Sequence, residues 1–347
     1  MSTRLEHVRM FFVDLNPLFD PVLPIVESYM INSRTLFGYD PFYPVVVLSN
    51  DRIASIVKGK NIRVWSTEIE ESFIIRGRGE VLNCVVPLSR KRLAESSTNI
   101  RIWDWSTGRC LLVLHGDGRP VKQLLASRKT ILVSGSDSGS IKAWNINTGE
   151  CVANYVGHRL AIHNMILVSK NRLVSSSYDR TIRIWNRGGQ CIKIINDGIG
   201  NGHSLITLGG DRIASNSYNG ITKIWNMKFG VCELELKTGH TIHRLESQKM
   251  VSCFDTSYVK IWDTISGVCD FTLEEGKEKA LCIRIIKNKI LAVGYGNGNL
   301  KTWDVNTGAL LDCELGHKIA THKLTNLPSG ILISCGVDET IKIWDPV

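Results

Sequence analysis

The stretch Tyr178-Asp179-Arg180-Thr181-Ile182-Arg183-Ile184-Trp185-Asn186 decides how the chain is read, because variants of it recur along most of its length. They run from Asn61 to Trp65, Asn99 to Asp104, Ser140 to Trp144, Ile221 to Trp225, Tyr258 to Asp263, Asn299 to Asp304 and Thr340 to Asp345, making eight registers. Successive tryptophans lie 38, 41, 41, 40, 37, 41 and 41 residues apart. A period of about 40, with turn residues between short apolar runs, belongs to a four-stranded blade repeated around an axis. The predicted fold is all-β, a single eight-bladed propeller over residues 31–347 with a short N-terminal arm over 1–30.

The last repeat stops at Trp344-Asp345-Pro346-Val347, after its third strand. Asn32 to Phe37 reads as a strand, and Gly38-Tyr39 aligns with the place that Gly157-His158 holds later. The N-terminal strand is therefore expected to complete the last blade, removing the two edges an open arc would expose. In the arm, Leu5 to Leu15 predicts a short amphipathic helix halted by Pro17, Pro21 and Pro24. Its apolar side chains are expected to pack on the propeller, the alternative being that they are held out for a partner.

Composition narrows the class. Of 347 residues, 43% are apolar and 22% charged, and the apolar runs are of strand length, so no membrane span is expected. The first 30 residues lack the order of a secretory signal, which points to a cytoplasmic setting. Ten cysteines are present without a CxxC pair. Cys110, Cys151, Cys232 and Cys269 fall seven residues after a repeat tryptophan and Cys191 six after, so they read as packed, reduced thiols rather than a metal site. No cofactor, metal or catalytic site is expected. Gly294 to Gly298 and Arg76 to Gly79 lie in blade turns with no helix following, which argues against phosphate loops.

At this point the chain resembles the WD40-repeat family, over about residues 31–347. The resemblance implies a polar chain of His, Ser, Asp and Trp within each blade. It is complete at His158, Ser175, Asp179 and Trp185 and again at His317, Ser334, Asp338 and Trp344. These groups are expected to be structural, although Ser, His and Asp together superficially suggest a hydrolase; loss of Asp179 should cost about 1–3 kcal/mol. The turn position of Asp179 is Gly59, Ser97, Ser138, Asn219, Thr256 and Asn297 elsewhere, so those blades are expected to rely more on packing. The Thr-Gly-x-Cys turns and the eight blades look most like the propellers of F-box substrate receptors of ubiquitin ligases, though no F-box pattern precedes the repeats.

Two surfaces stand out. Turns between first and second strands are repeatedly basic, most densely at Arg90, Lys91 and Arg92, while acidic residues follow the tryptophans on the same face. The opposite face carries Arg76, Arg78, Arg119, Arg159 and Arg180 among Tyr178, Tyr218 and Tyr295, all expected to be exposed. Arg pairs bidentately with phosphate, and both residue types dominate binding hot spots. The function expected is a non-enzymatic protein-interaction scaffold, monomeric unless the arm mediates assembly, whose partners are proteins or peptides of acidic or phosphorylated character. A ligase substrate receptor joined through a separate adaptor and a structural part of a larger particle are the alternatives. Nucleic acid is not expected, because the basic face has few aromatics to stack bases.

Overall fold

The computed structural model describes residues 30–346 except 70, 90, 129, 170, 198–201, 218, 240, 246–247, 254–257, 275–277 and 287–288. The arm over residues 1–29, Arg90 and Tyr218 lie outside the described residues. Thirty-two strands form eight four-stranded antiparallel sheets, and there is no α-helix among the described residues. Seven sheets are built from consecutive strands. The eighth has the order Met30–Phe37, Thr340–Pro346, Leu332–Gly336 and Thr321–Asn326, so the two ends of the chain share one blade. Met30 lies opposite Pro346 and Phe37 opposite Thr340, the closure expected from the sequence.

Strand formation follows from alternation of β-branched and polar residues. In Thr181–Asn186, Ile182 and Ile184 are buried while Thr181 and Arg183 are half-exposed. Trp185 breaks the alternation, and the register shifts where it meets Cys191 on the next strand. The same shift sets Cys110, Cys151, Cys232 and Cys269 opposite their blades' tryptophans. All ten cysteines are free; Cys151 and Cys232 are exposed rather than packed, because this outermost strand turns one face to solvent.

The core lies between blades rather than within them. Val174, Ile182, Ile184 and Ile195 of the fourth blade pack on Leu205, Ile213, Trp225 and Met227 of the fifth. Leu36, Ile341 and Ile343 of the eighth pack on Val45, Ile53 and Trp65 of the first, which seals the ring. Each of the eight apolar clusters spans one pair of neighbouring blades. A wholly buried tryptophan such as Trp185 removes roughly 200 Å² from water, an upper bound of about 5 kcal/mol at each such seam. The innermost strand of every blade touches that of the next, from Val46–Val47 around to Thr321–Asn326 and back, so these strands surround an axial channel.

The turns from second to third strand require left-handed backbone: Arg180 has φ +65°, Gly139 +87° and Gly298 +89°. At Gly298 a side chain would also run into the carbonyls of His317 and Ile319. Glycine is the one residue that fits both conditions there.

Candidate interaction surface

In the fourth blade the polar residues form one continuous chain. Trp185 Nε1 donates to Ser175 Oγ at 2.8 Å, and Ser175 Oγ lies 2.8 Å from His158 Nε2. His158 Nδ1 is 2.8 Å from Asp179 Oδ2. With the serine oxygen accepting from the indole, its hydroxyl proton goes to Nε2, which leaves Nδ1 protonated and donating to the carboxylate. Asp179 also accepts from the amides of Arg159 (3.1 Å) and Thr181 (3.0 Å) and from Thr181 Oγ1 (2.7 Å). Burial lowers the His158 pKa despite Asp179, so the imidazole is neutral. Burial alone would raise the Asp179 carboxyl, but hydrogen bonds from Thr181, His158 and the Arg159 amide outweigh it and hold it below the usual range.

The eighth blade repeats the arrangement. Trp344 Nε1 donates to Ser334 Oγ (2.9 Å), His317 Nε2 lies 2.7 Å from that oxygen, and Nδ1 lies 3.1 Å from Asp338. In both chains the serine oxygen is already engaged by an indole and a histidine inside the blade, so it is not presented to a substrate.

Beside the packing expected of them, three of the other blades carry polar links of their own. In the second, Glu95 occupies the serine position, because its hairpin is two residues shorter and Leu93 instead of Leu173 faces the tryptophan. Arg101 then bridges Glu95 (3.2 Å) and Glu80 (2.9 Å). In the third, Trp144 donates to Ser134 (2.8 Å) and Asp117 accepts from Ser136 (3.1 Å) and Ser138. In the fifth, Trp225 donates to Ser215 (2.9 Å), and Lys223 lies 3.7 Å from the Asp197 carboxylate.

A further regularity escaped the sequence reading. The residue two before each repeat tryptophan is basic in all eight registers: Arg63, Arg101, Lys142, Arg183, Lys223, Lys260, Lys301 and Lys342. Six of these heads lie over their own tryptophan at 5.6–5.9 Å. Lys301 lies over Tyr295 at 5.5 Å, and Arg101 is taken by the two glutamates. Cation–π pairing of this kind holds much of the repeat's positive charge inside the fold.

On the face of the basic turns, Arg92, Arg172 and Arg212 reach the next blade, while Arg109, Arg187 and Arg244 are exposed. Arg92 donates to Ile146 O (3.3 Å) and Asn147 (3.1 Å), Arg172 meets Asp211 at 2.6 Å, and Arg212 binds Glu233 of its own blade (2.6 Å) and the Thr264 carbonyl of the next. Lys249 pairs with Asp270 at 3.2 Å. Of the triplet at 90–92, Lys91 is exposed and Arg92 is engaged as a clasp.

On the opposite face Arg76, Arg78, Arg119, Arg159 and Arg180 are all exposed. The first four lie in loops leading into the second, third and fourth blades, and Arg180 sits in the turn of the fourth, so they trace an arc over one half of the ring. Carboxylates along this arc are used internally: Glu80 by Arg101, Asp117 by serines, Asp137 by Lys122 (3.8 Å) and Asp179 by His158. No ion pair to these five guanidinium groups forms among the described residues. Tyr178, 41% exposed, stacks on His163 with ring centroids 5.2 Å apart and planes 25° from parallel. Nothing in the sequence announces that stack, since His163 belongs to a different strand. Tyr295 does not join the surface: it is 1% exposed, packed with Trp303 in the seam between the sixth and seventh blades. It is the last residue of a second strand whose final five residues are all buried, rather than part of the turn that follows, which corrects its placement among the exposed tyrosines.

Comparison with known proteins agrees with this architecture. The family described as "WD domain, G-beta repeat" matches residues 149–186 and 314–345. WD repeat and SOCS box-containing protein 1 of Xenopus tropicalis and of Homo sapiens are each 43% identical over 58 residues, 16% of this chain. The match spans about 14% of the length of those relatives. Among solved structures, the computationally designed Ika8 protein is similar with a TM-score of 0.76 and 23% identity, covering 89% of this chain and 98% of that one. The WD40 propeller domain of Doa1 is similar with a TM-score of 0.61 and 20% identity, over 91% and 97% of the two chains. The two registers matched by the family are those whose polar chain is complete in all four groups, and the chain is a WD40-repeat β-propeller, a fold that generally serves to bind other proteins.

Proposed function

We propose that this propeller is a non-catalytic scaffold whose working surface is the arginine arc of Arg76, Arg78, Arg119, Arg159 and Arg180, with Tyr178 as its aromatic platform, and that it takes acidic or phosphorylated segments of other proteins. The observation that carries this reading is the contrast between faces. On one, Arg92, Arg172 and Arg212 clasp blade to blade, while the other leaves five exposed and has its own carboxylates engaged inside the fold. Arginine forks aimed at solvent beside an exposed tyrosine suit bidentate capture of phosphate or carboxylate.

The test is quantitative affinity purification with Arg159→Glu/Arg180→Glu beside a control on the other face, Lys91→Glu. Loss of partners from the first variant alone is expected; equal recovery from both would overturn the assignment. A phosphopeptide array read with the same proteins then separates phosphate from general acidity. A second reading draws on relatives whose names join WD repeats to a SOCS box: a substrate receptor brought to a ubiquitin ligase by a separate adaptor. Recovery of a cullin with the intact protein would favour it.

A further inference from the structure

One tryptophan stands outside the repeat. Trp105 lies two residues after the tryptophan of the second blade, a position held in five other blades by Thr67, Ile146, Met227, Thr264 and Val305, all of them buried. The backbone is fixed alike in each, the amide donating to a carbonyl of the turn between the blade's first and second strands: Trp105 to Lys91 at 3.0 Å, Thr67 to Asp51 at 2.8 Å. An indole is too large for a site that seals a valine or a threonine, and Trp105 is left half-buried. With Leu48 and Phe73 of the first blade it lines a cleft of about 460 Å³, rimmed by Asp51, Arg52 and Lys91. That volume is enough to enclose a large side chain.

At the rim, Asp51 is taken by Arg52 at 3.4 Å and by the Ser49 hydroxyl at 2.8 Å. Asp104, next to Trp105, accepts from the Ser106 hydroxyl and the Thr107 amide. Lys91 is exposed, and its ammonium forms no ion pair among the described residues. The chain enters the propeller close by. Residues 1–29 precede Met30, which pairs with Pro346 at the end of the eighth blade on this same face. Four residues on, about 13 Å along the strand, Arg34 donates to Thr67 O at 2.7 Å, and the Thr67 amide in turn holds Asp51 at the rim. Within 1–29 an aromatic and an acid stand together at Phe19-Asp20, followed by Pro21 and Pro24. The ten residues from Asp20 to Met30, extended as prolines favour, reach about 30 Å. The cleft lies within that reach.

We propose that the N-terminal arm docks in this cleft of its own chain, with the Phe19 ring against Trp105 and Phe73 and the Asp20 carboxylate on the Lys91 ammonium. The match is one of chemistry as well as reach: an aromatic side chain for an aromatic-lined cleft, and an acid for the free cation at its rim. Docked there, the arm covers the half-exposed indole and adds a second tie between the eighth blade and the seam of the first and second. The inference is independent of the arginine arc, which lies on the opposite face.

Zero-length carbodiimide crosslinking of the full chain, read by mass spectrometry, tests it together with hydroxyl-radical footprinting. A link between Asp20 and Lys91 within one chain is expected, reduced at least fivefold by Phe19→Ser and unchanged by Phe12→Ser. Phe19→Ser should also raise oxidation of Trp105 at least threefold, while Phe229, 63% exposed on the same face, is oxidised as before. Absence of the link, or a link undiminished in Phe19→Ser, overturns the proposal. So does a link formed only between copies in a mixture of light and isotope-labelled protein, which assigns the cleft to the arm of a second copy. Equal oxidation of Trp105 in both proteins leaves the cleft to a separate partner and likewise refutes docking by the arm.

Discussion

Replacing Asp179 by alanine removes the acceptor on which the fourth blade's polar chain ends. The carboxylate takes hydrogen bonds from His158 Nδ1, the Arg159 amide, and the amide and hydroxyl of Thr181. The His158 side chain is wholly buried, so its Nδ1–H loses a charged acceptor where water does not readily replace it, at a cost of about 1–3 kcal/mol. The remaining donors lie closer to the surface and recover part of their bonding from water, adding about 1 kcal/mol together. Asp179→Ala should therefore lower the unfolding free energy by about 2–4 kcal/mol, toward and past the upper end of the range expected from sequence. Arg180→Ala, one residue on and exposed, should change it by under about 0.5 kcal/mol. Urea unfolding followed by tryptophan fluorescence measures both, with Trp185 as a reporter inside the affected chain. An Asp179→Ala protein within about 0.5 kcal/mol of wild type would refute the claim that this chain carries buried, unreplaced bonding.

Deleting residues 30–37 should lower the melting temperature and promote association through the bare edge of Thr340–Pro346, visible by size-exclusion chromatography; an unchanged melt and a monomeric profile would contradict closure by that strand. Stability should fall as pH drops below the ordinary imidazole value of 6.5. Burial holds His158, His163, His243, His317 and His322 below that value, so protons bind the unfolded chain first; the loss continues to about 4, where His243 titrates. Asp179 and Asp338 act lower still, since their depressed carboxyls keep their contribution until the pH falls below 3.8. A flat denaturation profile between pH 7 and 4 would count against this balance. Gly298→Ala meets two carbonyls in a left-handed turn and should cost more than about 2 kcal/mol, whereas Gly118→Ala, with φ +80° and open space, should cost about 1 kcal/mol by differential melting.

The tryptophan period made the blade count and the shared eighth blade legible, because both follow from where one strong register begins and ends. The complete polar chains were legible for a similar reason: four residue types recur at fixed offsets. What stayed hidden depends on neighbours in space. Glu95 serves as a substitute for serine only because a hairpin is two residues shorter, and Arg172 is neutralised by Asp211 on the next blade. Tyr295 looked like a surface tyrosine because glycines surround it, yet it closes a strand buried on both faces between two blades.

The pairing of Met30–Phe37 with Thr340–Pro346 also bears on how the molecule assembles. Seven blades are made of strands that follow one another closely, so each can form from local encounters soon after its own residues are available. The eighth joins strands from opposite ends of the chain, and the loop-closure entropy for that step falls on a single late event. Until it happens the array is a spring with two unpaired edges, most vulnerable to sticking to another copy of itself. During synthesis, the first strand must wait for the last, so the interval between emergence of the seventh blade and emergence of Thr340–Pro346 is when a chaperone would matter most.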